Sequence, residues 1–222
     1  RGALILIDEL QASSPEVRHL IGTYQEMVGE RLNVALVMAG LPGAVSTTLN
    51  DRVLTFLNRA RKITLPPLEQ GEVDAFFKRS FDSLGIAIAS DLRRDAAAYT
   101  AGSPYLLQLV GHYTCLYAED GKVSEESLAE ALRTSGDDFQ SDVCATTLAA
   151  LSERDVDFLE AMASLGDPAP IAAIAETMEA TVDYAQKYRR RLIESGVIKS
   201  AGRGKVAFDV PFLAEHLRKR NG

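Results

Sequence analysis

Two short, uninterrupted apolar runs set the frame for this chain: Ala3–Ile7, reading Ala-Leu-Ile-Leu-Ile, and residues 33–39, which carry Val-Ala-Leu-Val-Met-Ala. Neither alternates with polar residues, the pattern of strands buried on both faces of a parallel sheet. Between them Ser14, Pro15 and Glu16 read as helix N-cap, first-turn proline and first-turn acid. Val17, Leu20, Ile21, Tyr24 and Met27/Val28 then share one face of a helix reaching Gly29. Strand, helix, strand is the unit of an α/β sheet. Gly40-Leu41-Pro42-Gly43 closes the second strand. A helical stretch is expected over 51–60, and Lys62–Leu65 reads as a third short strand stopped by Pro66-Pro67.

From Leu68 the strand signal disappears until Val197, and apolar residues fall at helical spacing. Helices are expected at 70–84, 91–101, 104–119, 125–134 and 137–150, with Ser90, Ser103-Pro104 and Ser124 as starts and Gly85, Gly102 and Gly121 as stops. Ser152 then caps a helix to Leu165, followed by helices at 171–178 and 182–195, a strand at 197–200, the turn Gly202-Arg203-Gly204 and a strand at 205–210. Three helices and a β-hairpin form the winged-helix pattern. The expected fold class is therefore an α/β remnant of a parallel sheet (1–67), an all-α segment (68–148) and a C-terminal winged helix (149–222), mostly helical overall.

At 46% apolar and 25% charged residues, the 222-residue chain falls outside the disordered, collagen-like and disulfide-scaffold classes. Cys115 and Cys144 form no CxxC and no Cys/His cluster, which suits a reducing compartment and offers no zinc spacing. No apolar run approaches the roughly 20 residues of a membrane span, so the cytoplasm is expected and a membrane partner is not. The net charge of −7 hides a split: residues 1–183 carry 14 basic and 28 acidic side chains, residues 184–222 carry 10 and 3. No His/Asp pair can be placed beside a Ser or Thr, and His112, on an apolar helix, reads as a core residue. A triad hydrolase is not expected.

The strand ending in Asp8-Glu9 has the form of a Walker B segment. There an Asp holds Mg²⁺, usually through water, and a Glu polarises the water that attacks the γ-phosphate; the same acids also end ordinary buried strands. The order that follows, a second strand ending at Ala39-Gly40, a basic stretch Arg59-Ala60-Arg61-Lys62, a helical bundle and a winged helix, resembles an AAA+ ATPase of the replication-initiator or signal-transduction (STAND-like) type over essentially the whole chain. Gly40-Leu41-Pro42, Thr55-Phe56-Leu57-Asn58-Arg59, Gly102-Ser103-Pro104-Tyr105 and Phe208-Asp209-Val210-Pro211 are similar to segments of bacterial AAA-family ATP-binding proteins. The resemblance implies ATP and Mg²⁺ as cofactors of the intact protein, Asp8 as metal support, Glu9 as water-polarising base, Arg59 as an arginine finger acting in trans, and the helical segment as a lid. Arg59 is equally a cation suited to a helix C-terminus.

Three departures accompany it. Ala39-Gly40 stands where a polar sensor-1 residue is usual, and 102–108 offers no sensor-2 arginine. Gly-Lys occurs only at Gly121-Lys122 and Gly204-Lys205, each followed by Val and each without the upstream glycine of a Gly-x-x-x-x-Gly-Lys-Ser/Thr phosphate loop. Since that loop precedes the Walker B strand in the family, the chain is expected to be a fragment that does not hydrolyse ATP alone, and its sheet to lack a strand that something else must replace or cover.

In the winged-helix segment, helical geometry sends Lys187 and Arg190 outward together with Asp183 and Glu194, and puts Ala185, Tyr188 and Arg189 near the buried side. With Lys199, Arg203 and Lys205 on the hairpin and Arg218, Lys219 and Arg220 at the tail, double-stranded DNA is one expected partner. A protein partner or a second copy is the other. The rival to an ATPase reading is a non-enzymatic scaffold or regulator that uses this segment for DNA or protein binding.

Overall fold

The computed structural model describes residues 1–10, 14–40, 45, 48–49 and 55–221. They fall into two compact units, Arg1–Ile63 with Pro168–Asp209, and Thr64–Asp167 with Val210–Gly222. Among the described residues, no helix is long and apolar enough to cross a membrane.

The chain opens with β1 (Ala3–Ile7), α1 (Pro15–Gly29) and β2 (Val34–Met38). Ser14 caps α1 by accepting the Val17 N–H at 3.3 Å, with Pro15 and Glu16 in the first turn. The two strands pair in parallel, Ala3 beside Val34 through Ile7 beside Met38. Leu36 and Met38 pack with Ile21, Leu49 and Leu57. The other face is open: Leu4 is 61% exposed, Leu6 68% and Val37 52%. Burial on both faces, the expectation from composition, therefore fails on this side. A run of Leu and Val records that a strand can be covered, whereas the covering layer must come from another element, and the described residues supply one layer only.

Lys62–Leu65 is not a strand. The segment is irregular and fully exposed, with Ile63 at 73% and Leu65 at 86%; apolar alternation cannot make a strand where no described neighbour supplies the ladder. Of the helix expected over 51–60, residues 51–54 lie outside the described residues and Thr55–Arg59 form a 3₁₀ turn. Leu41, Pro42 and Gly43 also lie outside them.

The second unit is helical. α2 (Gln70–Leu84) buries Val73, Phe77 and Phe81 and ends at Gly85, φ 71°. α3 (Ser90–Tyr99) is tied back to it by Arg93, whose Nε and Nη2 donate to Asp74 at 2.8 and 3.2 Å. α4 (Pro104–Leu116), capped by Ser103, packs against α5 (Glu125–Phe139). The helices expected at 125–134 and 137–150 are one element: α5 passes through a π turn (Gln140–Cys144) into α6 (Ala145–Ala149). The helix runs on through Gly136, which is buried where a Cβ would strike the Tyr99 hydroxyl. α7 (Glu153–Leu165) starts from a capping box between Ser152 and Asp155.

In the first unit follow β3 (Ala169–Pro170), α8 (Ile171–Thr177), α9 (Val182–Glu194), β4 (Ile198–Ser200) and β5 (Lys205–Phe208), with the antiparallel order β3-β5-β4. α10 (Leu213–Asn221) belongs to the second unit and packs on α7 and the π turn. Neither β3 nor α10 figures in the sequence expectation: one is a two-residue ladder, and the other has only Leu213 and Leu217 fully buried beneath a basic end.

Candidate functional site

β1 delivers Asp8 and Glu9 just beyond its C-terminal end. The strand ends are tied by the Ala39 N–H donating to Ile7 O at 2.8 Å and the Leu10 N–H donating to Ala39 O at 2.9 Å. Asp8 Oδ1 accepts the Glu9 N–H at 2.9 Å, and Glu9 takes a left-handed φ of 52°. The chain thereby turns Leu10 inward, 4% exposed, while both carboxylates stay outside. Gly40 lies against this turn: a Cβ there would come within 2.8 Å of Leu10 Cβ. Ala39-Gly40 thus holds the loop through backbone and offers no polar side chain.

Two exposed carboxylates are hard oxygen donors of the kind Mg²⁺ takes, one or two at a time, when phosphates and water complete its shell. Among the described residues no group of three or more His, Cys, Asp or Glu stands together to hold a metal by itself. The pair alone could supply one or two of the oxygens of such an ion. Arg59 is exposed at the end of the 3₁₀ turn, which is anchored by Leu57 in the Ile21 cluster and by Phe56, whose ring centroid lies 6.5 Å from that of Tyr24.

The five other predicted residues also belong to the first unit. Lys187 and Arg190 are exposed on α9, whose Ala185 and Leu192 are buried. α9 packs on β4. Lys199 and Lys205 alternate with the buried Ile198, Val206 and Phe208, so they face outward. Arg203 is exposed between Gly202 and Gly204. Lys199 is not free: its Nζ lies 3.1 Å from Asp209 Oδ1.

Two of the three tail cations are engaged within the second unit. Arg218 Nε donates to Ala163 O at 3.0 Å and Lys219 Nζ to Gln140 Oε1 at 3.4 Å, which docks α10 within the second unit. Tyr188 is half-buried; its hydroxyl donates to that of Tyr184 at 2.8 Å and the Arg191 guanidinium lies 5.1 Å over its ring. The 184, 188, 191 spacing could have revealed this stack. His112 is exposed, edge-on to Tyr113, rather than a core residue.

A family model described as a domain of unknown function (DUF8462) matches residues 141–217. No curated protein matches the chain. Among solved structures, the Walker-type ATPase PABY2304 of Pyrococcus abyssi is similar at a TM-score of 0.74 and 17% identity, over 98% of this chain and 63% of that one. The Thermotoga maritima RuvB Holliday junction branch migration motor is similar at 0.49 and 18% identity, over 98% and 70%. The chain shares its fold with the Walker-type ATPase and spans 63% of the length of that Pyrococcus protein.

Proposed function

We propose that the chain is the Walker B, lid and winged-helix portion of an AAA+ ATPase, with residues 1–67 in the nucleotide-binding core, 68–148 as lid and 149–222 as a winged helix that contacts double-stranded DNA. The observation that carries this reading is the pair Asp8-Glu9, exposed at the C-terminal end of a parallel strand in a fold shared with a Walker-type ATPase. Bound ATP-Mg²⁺ would supply the phosphoanhydride and the charge that polarises it. Asp8 would support the metal through water, Glu9 would take the proton of the attacking water, and Arg59 would offset phosphate charge across a subunit boundary.

These 222 residues contain no Gly-x-x-x-x-Gly-Lys-Ser/Thr loop, so turnover requires a polypeptide that also provides one. By calorimetry the 222-residue chain is expected not to bind ATP-Mg²⁺ tightly. In a polypeptide carrying such a loop as well, Glu9→Gln is expected to keep ATP binding and lower turnover at least about a hundredfold, as loss of a positioned base does. Unchanged turnover would refute catalysis by this site and favour the scaffold reading, for which Ala39-Gly40, without a polar sensor side chain, is the supporting observation.

A further inference from the structure

On α9 the exposed cations have acidic neighbours at helical spacing. Asp183 precedes Lys187 by four residues and Glu194 follows Arg190 by four, distances at which side chains meet on a helix surface. At about 100° per residue, Asp183, Lys187, Arg190 and Glu194 fall within about 60° of one another, a band of two positive and two negative charges. Of the other α9 cations, Arg189 is half-buried and Arg191 lies over the Tyr188 ring. On the hairpin, Lys199 is matched by Asp209 at 3.1 Å. Arg203 and Lys205 remain, both exposed; like Lys187 and Arg190 they have no carboxylate within salt-bridge distance among the described residues, but unlike them they share no helix face with an acidic residue.

Their turn is firm on one side and open on the other. The Ala201 N–H donates to Lys205 O at 3.1 Å, and the Ile171 N–H donates to Gly204 O at 2.9 Å, fixing the turn to the start of α8. Gly202 and Gly204 hold φ 100° and 71°, and a Cβ at either would meet nothing within 4 Å. Arg203 is therefore an exposed side chain on a hydrogen-bonded turn with open space beside both flanking glycines.

Resting on the DNA reading above, we propose that the hairpin turn Arg203–Lys205, and not α9, is the phosphate-binding element, so that duplex DNA is held by its backbone without its sequence being read. Phosphate contacts position a protein on a duplex but carry no base information, whereas a charge-balanced helix face gains little from approaching a polyanion.

The test measures affinity for two fluorescent duplexes of unrelated sequence against salt concentration. The wild-type chain is expected to bind both equally, and Arg203→Gln/Lys205→Gln to lower the slope of log K against log salt by about 2, at about 0.9 per phosphate contact. Lys187→Gln/Arg190→Gln should leave the slope unchanged. Thermal melts confirm that each variant folds. If the wild type binds no duplex, the DNA reading itself fails. If it binds and the α9 pair carries the slope, or one sequence is strongly preferred, only the assignment to the hairpin fails.

Discussion

Gly102, in the segment Gly102-Ser103-Pro104-Tyr105, is constrained twice over, and the two constraints can be separated by measurement. It holds φ 75°, directly after Ala101 at φ 48°, and a Cβ at this position would lie 2.7 Å from Leu68 O, 2.8 Å from Pro67 Cβ and 3.0 Å from Leu68 N. The approach is close because Gly102 O accepts the Leu68 N–H at 2.9 Å, which fastens the entry to α2 against the turn before α4. Gly85 provides the comparison: φ 71°, in the same unit, with nothing within 4 Å of its Cβ position. Gly85→Ala should thus cost only the left-handed conformation, about 1 kcal/mol. Gly102→Ala should add displacement of backbone atoms that have no flexible end to yield, for a total of about 3 kcal/mol. At about 3 °C per kcal/mol for a chain of this size, the melting point should fall by about 3 °C for Gly85→Ala and by about 9 °C for Gly102→Ala. Urea titration with a shared m-value checks the same difference. If the two variants are equally stable, the close approach of Gly102 to Leu68 does not govern this turn and the steric argument is refuted.

Asp74→Ala should cost about 1–3 kcal/mol, because it leaves Arg93, whose side chain is only 14% exposed, without its two-pronged partner; the coupling in an Asp74/Arg93 double-mutant cycle measures the pair itself, and additivity would refute it. Burial pushes the Cys144 thiol up to about 11, so it stays protonated at pH 8. Alkylation should reach Cys115 first and Cys144 only on unfolding, which mass spectrometry of the labelled peptides resolves. The same shift fixes a sign: the unfolded thiol ionises before the folded one, so its contribution is intact below about pH 9 and is lost as pH rises through about 11.

Helices were legible where local chemistry decides them. Ser14-Pro15, Ser103-Pro104, Ser124 and Ser152 each cap the helix they were expected to start, and Gly85 ends α2, because caps and left-handed stops involve residues only a few positions apart. The failures lie where a distant partner decides. Lys62–Leu65 has the pattern of a strand without a ladder, Leu4 and Leu6 have that of a buried strand without a second cover, and the gap expected between helices at 134 and 137 is closed, with Gly136 packed against Tyr99.

The same distinction governs the candidate sites. Asp8 and Glu9 could be placed at a strand end from seven residues of sequence, since the position follows from where the apolar run stops. The basic surface could not, because charge in a sequence is a sum and charge on a surface is a neighbourhood. The excess of 10 cations over 3 anions in residues 184–222 counts Lys199, Arg218 and Lys219 as if each faced solvent alone. In the fold one sits on Asp209, a residue brought beside it by the β4–β5 ladder, and two are spent on a carbonyl and an amide of the helical unit. The excess also shrinks once Asp183, just outside the counted segment, is added; on α9 it and Glu194 stand at helical spacing from Lys187 and Arg190. On the hairpin itself, the cations that the ladder leaves unmatched are Arg203 and Lys205, at the turn where two glycines leave room for a polyanion to approach.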